Sequence, residues 1–305
     1  MSQHPGTDER GRWRCSLAAQ HRGDQRVGTA VPAPRWFLVG HRGPWERVPL
    51  ATEPLGEVAE ELTAALARAG ARLQLVRRHG RVTPEGEAEP VLMVDSRTGT
   101  VGRGTWSSPR DLVALADRFD DPPEQHGEPL VLVCAHGRRD VCCAIEGRLV
   151  AAVLDDVLPG AVWETTHLGG DRFAASVAYL PEGSMFGGLD GGVAPGVLLR
   201  HIDGDTDTEY WRGRSTWSPP VQAAVADVID AGGRLPEVTD VGMAADGPDA
   251  WVVTVDAGGR RERRRVTRTL EPPRRLTCRP GTSQAARYAV APVESDGPTG
   301  PTTAA

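Results

Sequence analysis

Four branched aliphatic residues in unbroken succession, Leu130, Val131, Leu132 and Val133, sit between Pro129 and Cys134. A strand with no polar alternate has no face to offer water, so it belongs in the interior of a sheet covered on both sides. After a Gly137-Arg138-Arg139-Asp140 turn, residues 145–158 place Leu149, Val153, Leu154 and Val157 at helical spacing. A buried strand followed by an amphipathic helix is the unit of an α/β fold. Cys134 closes that strand and Cys143 falls at or just before the amino-terminal end of the helix, where backbone N–H groups stabilise a thiolate.

The rest of the chain reads outward from this unit. Residues 1–30 form a loose amino-terminal arm, followed by an amino-terminal α/β domain at 31–120. Arg35-Trp-Phe-Leu-Val39 is its first strand. Val58, Leu62, Ala65, Leu66 and Ala69 form the apolar side of a helix that ends at Gly70, before a strand at 73–76. Strands at 90–95 and 100–105, joined through Arg97-Thr98-Gly99, make a hairpin. Prolines, charge and glycine at 120–127 have linker composition. The second domain, at 128–233, continues with a strand near Trp163, a loop, a strand at 174–179, and a helix capped by Ser218 with Pro219 at its first position, stopped by Gly232. A mostly β extension at 234–294, clearest at 251–255, precedes a tail at 295–305 expected to be disordered. The fold class is therefore α/β, with two related sheet-and-helix halves and a small β extension, although no repeat of fixed period is visible.

Composition removes whole classes of chemistry. All 35 basic residues other than histidine are arginine, so a P-loop lysine, a kinase-type lysine and a Schiff-base lysine are impossible. His-Glu-x-x-His and Gly-x-Ser-x-Gly motifs are absent as well. A formal charge of −6 favours neither nucleic acid nor anionic lipid as a partner. The first ten residues lack an apolar leader core and no apolar run reaches the ~18 residues of a membrane helix, so the expectation is a cytoplasmic protein with no membrane partner. Five cysteines, two of them adjacent, do not make a disulfide framework. The arginine-rich run 260–265 reads as a solvated edge strand. The stretch Trp211-Arg-Gly-Arg-Ser-Thr-Trp217 reads as either a docking surface or a cap on the domain, and both remain open.

Cys134 and Cys143, with His167 and Asp171 spaced i and i+4, make a four-ligand metal set of soft thiolates, an imidazole and a carboxylate. Cys142 and His136 are substitutes for Asp171 as the fourth ligand. Asp140 is placed to fix the loop through backbone N–H groups, and Arg172 to offset negative charge at the centre. Gly169 and Gly170 allow close backbone approach, with their N–H groups available to sulfur. Two cysteines, a histidine and an aspartate also satisfy tetrahedral zinc.

The text Cys134-Ala-His-Gly-Arg-Arg-Asp-Val-Cys-Cys143, followed by Trp163-Glu-Thr-Thr-His-Leu-Gly-Gly-Asp-Arg-Phe-Ala174, resembles the sucrase/ferredoxin-like family, whose members carry a thioredoxin-like ferredoxin domain. The likeness continues through Gly28-Thr-Ala30, Gly43-Pro-Trp45 and the contexts of Cys15 and Cys278, which read as structural thiols outside the second domain. The resemblance implies a [2Fe–2S] cluster on Cys134, Cys143 and His167, and the wide gap between the cysteines also favours a cluster over zinc. In the best-matching members the second ligand pair is His-x-x-x-His ahead of Arg-Phe-Ala; this chain has Asp171 at the second position. A carboxylate there makes the oxidised centre about −1 rather than about 0, and its potential is expected below a two-histidine centre and above a four-thiolate one. The implied role is one-electron transfer or redox sensing with an unidentified redox partner protein. That is a non-catalytic carrier rather than an enzyme, since no pair of carboxylates can be nominated for glycoside hydrolysis. The alternatives are a metal-free thioredoxin-like binding module and a zinc-binding structural protein.

Overall fold

The run 130–133 lies in the interior of a ten-stranded mixed sheet, with every residue of its strand buried. The structure, a computed structural model, describes residues 6–80, 88–125 and 127–293; the tail at 295–305 lies outside them. In chain order the elements of the amino-terminal half are α1 (Cys15–Arg22), β1 (Arg35–Gly40), α2 (Ala59–Ala69), β2 (Ala71–Arg78), β3 (Glu89–Asp95), β4 (Thr100–Trp106), α3 (Pro109–Asp117) and β5 (Glu124–Gln125). Then follow β6 (Leu130–Cys134), α4 (Val141–Val157), β7 (Val162–Thr165), β8 (Val177–Leu180), β9 (Ser184–Phe186), α5 (Ala194–Ile202), β10 (Trp211–Arg214) and α6 (Pro219–Asp230). A separate antiparallel sheet comprises β11 (Val238–Ala245), β12 (Ala250–Ala257), β13 (Arg260–Leu270) and β14 (Ala286–Pro292).

The large sheet has the order β10-β9-β8-β6-β7-β2-β1-β3-β4-β5. Each half contributes a parallel βαβ unit and then an antiparallel hairpin and a helix, with its strands in the spatial order second, first, third, fourth. In the second half this is the arrangement expected of a thioredoxin-like domain. The halves meet edge to edge through β2 and β7, antiparallel from Val76 opposite Thr165 to Arg78 opposite Trp163. Two-sided burial is visible strand by strand. Leu130, Leu132 and Cys134 join Trp36, Leu38, Val76 and Trp163 in one core that spans both halves. Val131 and Val133 pack on Val150, Ala151 and Leu154 of α4.

Several expectations are corrected. Residues 15–22, assigned to a loose arm, form α1 and bury Cys15, Ala18 and Ala19. The linker segment carries β5, which pairs with β4 and extends the sheet. Helix α4 begins at Val141 and buries Val150, Ala151 and Leu154, whereas Leu149 is 60% exposed and Val157 40%. The Asp140 cap starts the helix four residues earlier than periodicity suggested, and its docking rotates the buried stripe. The run 260–265 lies on β13, an inner strand rather than an edge. Its arginines are held by acids: Arg261 by Asp256, and the buried Arg264 by Asp227. The β11–β14 sheet packs Val253, Val255 and Val266 onto Val221, Val225 and Val228 of α6.

Candidate metal centre

The site begins where β6 meets α4. Asp140 is the helix cap, and its carboxylate accepts the Cys142 backbone N–H at 2.9 Å, so the first turn of α4 starts directly beside the end of β6. Gly147 lets the helix dock there, because an added Cβ would meet the Cys134 carbonyl oxygen at 1.9 Å. Cys134 and Cys143, 1% and 2% exposed, thereby face one another. A hydrogen bond from the Cys143 thiol, more than that from His167, holds Cys134 well below the usual thiol range against the pull of burial; Cys143 is pushed up as the partner that keeps the proton.

The connection after β7 supplies the other donors. His167 Nδ1 lies 3.9 Å from the Cys134 sulfur, 4.0 Å from the Cys143 sulfur and 3.2 Å from Asp171 Oδ1. Asp171 Oδ1 is 3.9 Å from the Cys143 sulfur, and burial raises the pKa of that carboxyl. Gly169 and Gly170, at φ 96° and 77°, turn the backbone between the two ligands. Arg72 Nη2 donates to the His167 carbonyl at 2.8 Å, so β2 of the first half fixes a donor loop of the second.

Two arginines, Arg212 buried and Arg72 half-buried, set the electrostatics. Arg212 is 1% exposed; it donates to the carbonyl oxygens of Thr29 at 2.5 Å and Gly169 at 2.9 Å, and among the described residues it pairs with no carboxylate. Burial and the charges of Arg172 and Arg72 pull its pKa down to about 9, and the opposing influence comes from the Cys134–Cys143 thiol pair. Arg72 is likewise lowered by burial and supported by Cys134. Buried cations without carboxylate partners favour an anionic group beside them.

Cys134, Cys143 and His167 present ligand atoms all within 4.8 Å of one another, a donor group able to bind metal, with Asp171 against its edge. The other candidates are engaged elsewhere. His136 Nε2 lies 2.9 Å from the Glu46 carbonyl oxygen. Cys142 is turned away from Cys143, toward Cys15 and Cys278. Arg172 Nε pairs with Asp24 at 3.1 Å. Asp140 accepts the backbone N–H groups of Cys142 and Cys278. Sequence reasoning missed Arg212, Arg72 and Gly147. A glycine in the middle of a helix was the available signal for Gly147. Arg212 lay inside the 211–217 motif, where nothing distinguished a buried arginine from an exposed one.

Comparison with known proteins adds a family. A family model described as sucrase/ferredoxin-like matches residues 27–213. The chain is also similar to "Altered inheritance of mitochondria protein 32" of Meyerozyma guilliermondii, 33% identical over 92 residues, which cover 24% of this chain and 33% of that protein. The chain thus spans about a third of the length of this curated relative. No solved structure matches it.

Proposed function

The chain belongs to the sucrase/ferredoxin-like family, and from that premise we propose that it is a one-electron carrier or redox sensor holding a [2Fe–2S] cluster. Cys134, Cys143 and His167 would be ligands, with Asp171 as the fourth. The observation that carries this reading is the convergence of two buried thiols and His167 Nδ1 within 4.8 Å. The uncompensated Arg212 and Arg72 fit an anionic centre of this kind. When bound, the cluster supplies reversible one-electron chemistry. The chain's own residues do the rest. Arg72 and Arg212 offset thiolate charge, and β6 with the first turn of α4 excludes water from the sulfurs. His167, whose side chain is 17% exposed, is the donor nearest solvent. Its Nδ1 faces the sulfurs, which leaves Nε2 to take up a proton. The reading places the protein in the cytosol, where its cysteines stay reduced or metal-bound, with a protein redox partner.

The test is protein made under iron-replete, low-oxygen conditions. It should be brown-red, contain about two iron and two acid-labile sulfide per chain, and give a [2Fe–2S] EPR signal on dithionite reduction. Colourless protein without iron overturns the proposal. Asp171→His should keep the cluster and raise its potential, because an anionic ligand becomes neutral; an unchanged potential removes Asp171 from the ligand set. A single zinc ion at the same residues is the second reading, favoured by donors as closely grouped as those around one ion.

A further inference from the structure

The geometry points to a second metal centre independent of the first: a structural zinc site formed by Cys15, Cys142, Cys278 and Asp140, on the opposite side of the α4 amino terminus. The adjacent cysteines of α4 diverge. Cys143 turns toward Cys134 and His167, while the Cys142 sulfur lies 3.3 Å from that of Cys278. The sulfurs of Cys278 and Cys15 are 3.5 Å apart, and Cys15 is 3.6 Å from Asp140 Oδ1. All four ligand atoms lie within 4.8 Å of one another. Zinc–sulfur bonds of ~2.3 Å in a tetrahedron separate the sulfurs by about 3.8 Å, so three thiols and a carboxylate this close suit one ion.

Charge separates this site from the first. Cys15 and Cys142 are fully buried and Asp140 is 2% exposed, yet among the described residues Asp140 forms no ion pair. Its carboxylate accepts the N–H groups of Cys142 at 2.9 Å and Cys278 at 2.7 Å, and the Cys15 thiol. A buried carboxylate beside three sulfurs lacks a cation, whereas the first site has the buried Arg212 without a carboxylate. Cys15 opens α1 and Cys142 lies in the first turn of α4, so two helix amino termini stabilise the thiolates that zinc requires. Binding would release the thiol protons to solvent.

The ligands come from three remote segments: α1, the α4 cap, and the connection between β13 and β14. Cys142 and Cys278 are separated by 136 residues, and Cys15 and Asp140 by 125. One ion would tie the amino-terminal helix and the carboxy-terminal sheet to the back of the cluster helix, offsetting the entropy of closing long loops.

Metal analysis of the full-length holoprotein tests this. About one zinc per chain should accompany the iron, and the zinc X-ray absorption edge should report three sulfurs at ~2.3 Å and one oxygen at ~2.0–2.2 Å. Cys278→Ser should lose the zinc and keep the iron and the visible spectrum. Cys143→Ser should do the reverse, and Cys278→His should retain zinc. Absence of zinc from the wild-type protein even after zinc addition under reducing conditions overturns the site, as does a disulfide among Cys15, Cys142 and Cys278 in anaerobically isolated protein. Zinc that follows Cys143 rather than Cys278 also overturns it. If Cys278→Ser fails to fold, the wild-type metal count and absorption edge still decide. Iron without zinc sinks only this site; one zinc without iron that is lost in Cys278→Ser and kept in Cys143→Ser sinks only the cluster.

Discussion

The two halves of the ten-stranded sheet share one topology and differ in how they connect the first strand to the first helix. In the first half, residues 41–58 intervene between β1 and α2, and Trp45 enters the core beside Leu55 and Val58. In the second, only residues 135–140 separate β6 from α4. The short connection brings a helix amino terminus against the end of its strand, which is where two cysteines can converge. At the corresponding strand end the first half has Gly40 and then His41, whose Nε2 lies 2.9 Å from the Glu53 carbonyl oxygen. Among the described residues no metal-capable group is built from the first half alone. Instead that half supports the second: Arg72 fixes the His167 carbonyl, and Trp45 and Glu46 hold His136. One topology therefore serves as both site and buttress, and loop length decides which.

The largest effect should separate the halves outright. Cys134→Ser or Cys143→Ser should abolish iron and visible absorption, while His41→Ala, at the matching place in the first half, should leave both unchanged; metal analysis that finds equal losses would break the comparison. Next comes Arg212→Met, which removes the cation that supports the thiolates. It should cost about 3–5 kcal/mol by chemical denaturation and lower the potential of any cluster. Gly147→Ala should cost about 1–3 kcal/mol and loosen the centre, since α4 must retreat from Cys134; an unshifted denaturation midpoint would show that close docking is dispensable.

The smallest effect concerns acid. Each half carries a clamped carboxylate at its hairpin. Against burial, which raises its pKa, the His201 hydrogen bond and the Arg214 charge hold Glu182 at about 2. The Arg97 hydrogen bond holds Asp95 low in the first half, aided by Arg35. A depressed carboxyl stabilises the fold above its unfolded pKa of about 4.3 for Glu and is lost as pH falls toward its folded value. Tm should therefore fall from about pH 4 to pH 2, and Glu182→Gln and Asp95→Asn should each remove part of that fall. If the two substitutions leave the acid limb unchanged, the clamps are energetically idle.

Much of the fold was legible because it is local. The apolar run at 130–133, the spacing of Leu62, Ala65 and Leu66, and the Ser218-Pro219 start of α6 report backbone preferences and burial that neighbours along the chain already determine. Cys134, Cys143 and His167 were singled out together chiefly by their likeness to the family's motif, and the fold brings their ligand atoms within 4.8 Å of one another.

What the chain alone established was an α/β frame, a lysine-free composition that closes several kinds of catalysis, and a strand–turn–helix unit carrying two thiols. Only the folded molecule decided that Cys142 meets Cys15 and Cys278. The step of about 100° per helix residue turns Cys142 away from Cys143, and Cys15 and Cys278 reach it from opposite ends of the chain. Contacts across such separations depend on how whole elements dock, and no local pattern encodes that.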